Sequence, residues 1–370
     1  MNLKYSLIYI FCFYLHGCGE AKKREILGDE PMADFYSLED FDSVQKYDTH
    51  VHINVEDSAF INQAERNNFR LLTVNVNPHY YPSIEDQQEV ALRLVEAYPQ
   101  VLSYATTFNV TNWGGEEWQP QTISYLKKSF RNGAIAVKIW KNIGMELREK
   151  DGQFVMIDDP RFDPILDFIE KNNVPLIGHL GEPKNAWLPV EEMTIKGDQG
   201  YFTKNPKYHM YLHKEYPSYQ DQIDARDRML VKHPNLKFIG AHLGSLEWNI
   251  DKLANHFDQF PNVAVDMAAR IPHLQFQSID NWEKVREFII KYQDRLIYST
   301  DISVQSTSKP DEVKKGAYEK WKSDWKFFVT DEEISVSAFE NKFKGLKLPR
   351  KVVDKIYKKN AETWFPGIGR

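Results

Sequence analysis

Two histidines set two residues apart, His50 and His52 in the run Tyr47-Asp48-Thr49-His50-Val51-His52-Ile53-Asn54, have the clearest chemical content in this chain. In an extended strand residues i and i+2 point the same way, so this spacing sets two imidazoles side by side. Neutral nitrogen donors of this kind suit Zn²⁺, Mn²⁺, Fe²⁺ or Co²⁺, and two of them are half of a metal site. Three further groups end later apolar runs: His179 in Ile177-Gly178-His179-Leu180-Gly181, His242 in Gly240-Ala241-His242-Leu243-Gly244, and Asp301 in Ser299-Thr300-Asp301. One histidine in an apolar run is commonly a satisfied core residue. Five donors, each closing such a run, point to a shared site.

Side chains this far apart in sequence meet only if the fold gathers them. Residues 46–53, 71–76, 101–110, 134–140, 174–179, 236–242, 263–267 and 296–301 read as eight strands. Between them, residues 84–98, 121–131, 163–172, 219–233, 246–257 and 282–292 have helical spacing or composition. Alternation of this kind implies right-handed crossovers and a parallel sheet, and eight units fit a closed (β/α)8 TIM barrel. An open doubly wound sheet is the alternative, but no Gly-rich phosphate turn follows the first strand. The barrel brings the carboxyl ends of all its strands over one mouth, where the five donors converge. Two connections are long, residues 141–161 after the fourth strand and 182–217 after the fifth. The second is dense in aromatic groups and reads as a lid or substrate wall, or as a small packed subdomain. Beyond Asp301 the chain supplies the eighth helix and a terminal cap.

Composition narrows the class. The 370 residues are 42% hydrophobic and 14% aromatic, as in a folded globular body. With 47 basic against 53 acidic side chains, the net charge of −6 is ordinary for solubility and argues against a nucleic-acid partner. The first 18 residues stand apart: Lys4 precedes an apolar run from Tyr5 to Leu15, and Leu15-His16-Gly17-Cys18 closes it. This pattern resembles a bacterial lipoprotein signal, which implies acylation of Cys18 and a protein anchored by lipid in the cell envelope, periplasmic or outer-membrane. A cleaved signal giving a secreted protein, and an N-terminal membrane anchor, are the alternatives. Residues 19–45 are then a tether and residues 46–370 the barrel. Both cysteines, Cys12 and Cys18, fall in the signal, so the barrel has neither a disulfide nor a thiolate ligand.

Asp48-x-His50-x-His52 on the first strand, histidines ending the fifth and sixth, and an aspartate ending the eighth resemble the amidohydrolase superfamily. More narrowly, the chain is similar to the amidohydrolase-related branch that includes aminocarboxymuconate-semialdehyde decarboxylase and pyrone dicarboxylate lactonase. The similarity runs over residues 46–366 and includes the ending Leu348-Pro349 through Ile356-Tyr357 to Asn360-Ala361. It implies that His50, His52, His179 and Asp301 bind one divalent metal, with His242 beside it as a polarising or proton-shuttling group. Zn²⁺ is the expected ion, and Mn²⁺ or another divalent metal suits the same ligands. A cation so held lowers the pKa of bound water toward about 7, Asp301 accepts the water's proton, and His242 stabilises the attacked carbonyl oxygen. Lys138 on the fourth strand is expected to support the ligands or face substrate as an ammonium. In other branches of the superfamily a lysine there is carboxylated and bridges two metals. Asp48 is expected to orient the histidines from below. Arg270, three residues past the seventh strand, is placed to clamp a substrate carboxylate, unless it is a surface arginine. Glu182 and Trp187, and more weakly Tyr211 and His213, are candidates for the substrate wall, while His209 and His213 four apart read as loop packing.

The expected activity is metal-dependent hydrolysis of an ester, lactone or amide in a small polar or carboxylated molecule. A metal-dependent non-oxidative decarboxylase is the second reading, and a ligand- or glycan-binding lipoprotein without catalysis the third. A decarboxylase releases CO₂ where a hydrolase fixes water, and a catalytic metal keeps an open coordination position that a structural one lacks.

Overall fold

The computed structural model describes residues 34–369; the expected N-terminal signal with Cys18, and the expected tether as far as residue 33, lie outside the described residues. Eight strands follow one another: β1 (Lys46–Ile53), β2 (Phe69–Val74), β3 (Leu102–Thr107), β4 (Val137–Ile139), β5 (Leu176–Gly178), β6 (Phe238–Gly240), β7 (Val263–Asp266) and β8 (Leu296–Ile297). Each pairs in parallel with the next. A short β9 (Ser303–Val304) continues β8 past Asp301 and pairs in parallel with β1, which closes the sheet into the expected (β/α)8 barrel. Every residue of β1 and of β4 to β8 is buried. Strands covered on both faces need continuous apolar runs, which is why Leu71-Leu72 and Phe238-Ile239 carry no polar alternation. The intervening helices begin where polar caps allow: Ser83 accepts from Asp86 N at 3.1 Å, and Ser218 with Asp221 forms a capping box.

Three features modify the sequence reading. The long connection after β5 contains a helix, Lys196–Lys204, and several 3-10 turns rather than an open loop. After the 20-residue helix Pro310–Val329 the chain makes a small antiparallel hairpin, β10 (Glu333–Ile334) with β11 (Phe343–Lys344), whose two-residue strands show no periodicity in sequence. Residues 35–45, assigned to the tether, lie on the barrel body: Phe41 is buried, Trp325 Nε1 donates to Ser37 O at 2.9 Å, and Tyr36 Oη donates to Asp354 at 2.7 Å. Isolated apolar residues in a charged stretch give no pattern, so only packing reveals them. Among the described residues no helix is long and apolar enough to cross a membrane.

Candidate metal centre

β1 supplies the first two imidazoles. His50 and His52 both line the barrel mouth, their rings 5.2 Å apart, as the i, i+2 spacing requires. Asp48 does not share their direction. From Asp48, paired with Leu71, to Val51, paired with Thr73, β1 advances three residues while β2 advances two. Such a bulge re-aims the side chains on either side of it. Asp48 therefore accepts from Thr300 N at 3.0 Å, Thr300 Oγ1 at 2.6 Å and Trp321 Nε1 at 2.9 Å, while burial pushes its carboxyl up to about 7 against these donors. Asp48 thus anchors the segment that carries Asp301, and because its carboxyl also takes a bond from the His50 backbone, it bears on the first histidine through the main chain rather than through the ring.

The residue that orients His50 is Asp266, at the end of β7, whose Oδ2 lies 2.8 Å from His50 Nδ1. Its Oδ1 accepts from His242 N at 2.8 Å and Ala268 N at 3.1 Å. Burial would raise Asp266, but the neighbouring His50 outweighs it and brings the carboxyl down to about 2. Sequence reading passed over Asp266, although it ends an apolar run as Asp301 does. His52 Nδ1 meets Val74 O at 2.6 Å, and His242 Nδ1 meets Ala268 O at 2.9 Å. Because a carbonyl or carboxylate oxygen only accepts, each of these three imidazoles carries a proton on Nδ1, and at His50 and His242, both held below the usual imidazole range, Nε2 is then the lone-pair nitrogen.

Asp301 stands where the eighth strand is interrupted, in a left-handed conformation with φ +69°. Its Oδ1 is 3.3 Å from His52 Nε2 and 3.7 Å from His50 Nε2, and donor atoms of the three residues lie within 4.8 Å of one another. His179, just past β5, lies outside this trio. Its Nε2 is buried with no hydrogen-bond partner, and its ring centre is 4.3 Å from that of His242. Burial, then the positive groups nearby, hold His50 below and His179 well below the usual imidazole range, and burial brings His242 down to about 3. Burial alone would raise Asp301, but His242, His52 and His50 outweigh it and keep the carboxyl far below the ordinary carboxylate range. Imidazole nitrogens turned to one mouth, one ionised carboxylate and an orphaned buried nitrogen are the donor set that a divalent cation requires. The residues present therefore fit a divalent metal.

These groups open into a cavity of about 540 Å³. Lys138 lines it from β4, its Nζ 3.2 Å from His50 Nε2, and burial lowers the ammonium to about 8. Glu182 lines it too, but is paired with buried Lys141, whose Nζ sits 3.9 Å above the Tyr208 ring. Arg270 is no surface residue: it lines the cavity, with Nη1 3.2 Å from Asp198 Oδ1 and Nε buried without a partner. Asp198 comes from the Lys196–Lys204 helix and also takes Asn185 Nδ2 at 2.8 Å. Trp187 is corrected, for it packs on Tyr219 at 5.4 Å between ring centres and is absent from the cavity wall, because its 3-10 turn faces the scaffold. Tyr211 and His213 also lie off the wall, Tyr211 half exposed and His213 bonded to Pro206 O. His209 Nε2 meets Leu188 O at 2.8 Å, in keeping with loop packing. The aromatic groups on the wall are Tyr80, Tyr81, Trp140, Tyr201 and Phe202; Tyr201 and Phe202 come from the aromatic loop expected to act as a lid or substrate wall, while nothing in the sequence reading marked Tyr80, Tyr81 or Trp140 for this role.

Residues 141–367 match the model of an amidohydrolase family, Amidohydro_2. No curated protein sequence matches the chain significantly. Among solved structures, 2,6-dihydroxybenzoate decarboxylase from Rhizobium is 13% identical, with 87% of this chain and 98% of that one covered at a TM-score of 0.49. 4-Oxalomesaconate hydratase from Rhodopseudomonas palustris is 10% identical over 87% of this chain and 97% of that one, with a TM-score of 0.45. A likeness this remote says nothing of substrate or reaction.

Proposed function

From the premise that this chain belongs to the amidohydrolase family, we propose that it is a metal-dependent hydrolase cleaving an ester, lactone or amide bond of a small polar or carboxylated molecule. The observation that carries this reading is Asp301, whose carboxylate adjoins His50 and His52 while about a third of its side chain stays open to the cavity. His50, His52 and Asp301, with His179 as fourth ligand, are the proposed holders of one cation. When bound, Zn²⁺, or Mn²⁺ as the second choice, supplies Lewis acidity and brings the pKa of a ligated water toward neutrality. Asp301 accepts the proton of the attacking water. His242, with its Nδ1 proton committed to Ala268 O, offers Nε2 as a further acceptor, so it shuttles a proton rather than donating to a carbonyl oxygen. Arg270, steadied on one edge by Asp198, receives a substrate carboxylate.

The test is metal analysis of the purified chain beside a His50→Ala, His52→Ala double variant, followed by a panel of esters, lactones, amides and unsaturated or aromatic acids. We expect one equivalent of metal, lost in the double variant, and product oxygen drawn from labelled water. Asp301→Asn should lower kcat by about 10²–10⁴-fold. Release of CO₂ without water incorporation would identify the decarboxylase instead. Intact metal content and turnover in His179→Ala and Asp301→Ala would overturn the mechanism. We further propose that acylated Cys18 holds the enzyme in a bacterial envelope, which requires labelled fatty acid to enter the wild type and not Cys18→Ser.

A further inference from the structure

We infer that Lys138 is an internal competitor of the metal, its side chain holding the His50 lone pair that a divalent cation needs. The inference rests on the metal-centre reading above and assigns Lys138 a part that reading leaves open. A neutral imidazole has one N–H and one lone pair. At His50 the hydrogen is on Nδ1, facing the Asp266 carboxylate at 2.8 Å. The lone pair is therefore on Nε2, and the donor facing it is Lys138 Nζ at 3.2 Å. Metal ligation requires that same lone pair, so a cation can enter only as the Lys138 bond to His50 breaks.

Charge strengthens the competition. Two other cations line the cavity, and each has a carboxylate against it: Lys141 has Glu182, and Arg270 has Asp198. Lys138 is buried and, among the described residues, has no carboxylate within 4 Å. Its ammonium thus opposes an incoming dication from close range in a site where burial weakens solvent screening. No comparable donor blocks the other nitrogens: His179 Nε2 has no hydrogen-bond partner, and His52 Nε2 faces the Asp301 carboxylate. Lys138 is the group whose departure the metal requires.

The prediction is opposite in sign to that for a ligand. Zn²⁺ affinity of the full chain would be measured at one fixed pH by competition with a chromophoric chelator, for the wild type, Lys138→Met and Lys138→Gln. Methionine keeps the length and removes donor and charge; glutamine keeps a donor and removes the charge. Lys138→Met should bind Zn²⁺ more tightly by about 10–100-fold, the range in which groups bonded to a ligand shift metal affinity, with Lys138→Gln between it and the wild type. Unchanged affinity in both variants overturns the inference. Weaker binding or lost metal also overturns it and makes Lys138 a ligand, either directly or as its carbamate. If Lys138→Met does not fold, tighter binding by Lys138→Gln supports the inference and unchanged or weaker binding overturns it. One equivalent in the wild type with no tightening in the variants defeats this inference alone, whereas a wild type that takes no Zn²⁺ defeats the metal centre with it.

Discussion

At His50 one proton decides what the ring can do. Asp266 holds it on Nδ1, directs Nε2 to the mouth, and through its other oxygen fixes the backbone that carries His242. A carboxylate in this position raises the basicity of the ring and fixes its orientation. Asp266→Ala should therefore weaken metal binding by about 10–100-fold even though Asp266 is not itself a proposed ligand. Chelator competition measures this, and an unchanged affinity would mean that β1 alone orients His50. Asp266→Asn, which keeps an acceptor but loses the charge, should fall between the two.

Among the elements, the turn that follows β6 determines where His242 can stand. His242, Leu243, Gly244 and Ser245 are all left-handed, with φ between +57° and +63°. Only glycine adopts this region freely, and each of the other three residues costs about 1–2 kcal/mol there. The surrounding structure supplies compensation: the Ser245 hydroxyl shares its one hydrogen between Leu180 O and Gly181 O, both at 3.2 Å, and buried Arg226 donates to Gly244 O. The turn folds back so tightly that a Cβ on Gly240 would lie 2.8 Å from Gly244 Cα. No side chain can swing aside to relieve that contact, since the obstacle is backbone. Gly240→Ala should then cost about 1–3 kcal/mol, the usual range for overpacking, and displace His242 as well. Urea denaturation reads the first effect and turnover the second; a variant with wild-type stability and kcat would show that the turn yields easily.

For the whole barrel, closure and the site are one event. Asp301 N donates to His50 O at 2.9 Å across the seam between the first and eighth strands, so joining the ends of the sheet also brings the carboxylate to the histidines. The N-terminal segment packs where β1 and β2 begin, against the helix Pro310–Val329. Phe41 packs at 6.1 Å from Trp325 and 6.2 Å from Phe69, and the Lys46 ammonium sits 4.8 Å from the Phe41 ring. Phe41→Ala should lower stability by about 3–5 kcal/mol, as truncation of a buried aromatic does. Equilibrium unfolding checks this, and a loss below about 1 kcal/mol would return residues 35–45 to the tether.

The sequence by itself determined the barrel and its mouth. Strand burial depends on apolar runs that any reader of the chain can count, and parallel strands separated by helices leave few ways to connect. It also carried His50, His52, His179, His242 and Asp301, because residue type and position at a strand end are local properties. Tertiary structure alone decided the partners. A bulge of one residue turned Asp48 toward Thr300 and Trp321, and β7 brought Asp266 beneath His50 from 216 positions away. Trp187 turned to the scaffold while Tyr80 and Tyr201 took the wall. Such choices depend on register, turn geometry and competing hydrogen-bond partners, all of which are set by contacts between distant segments and leave no periodic trace in the chain.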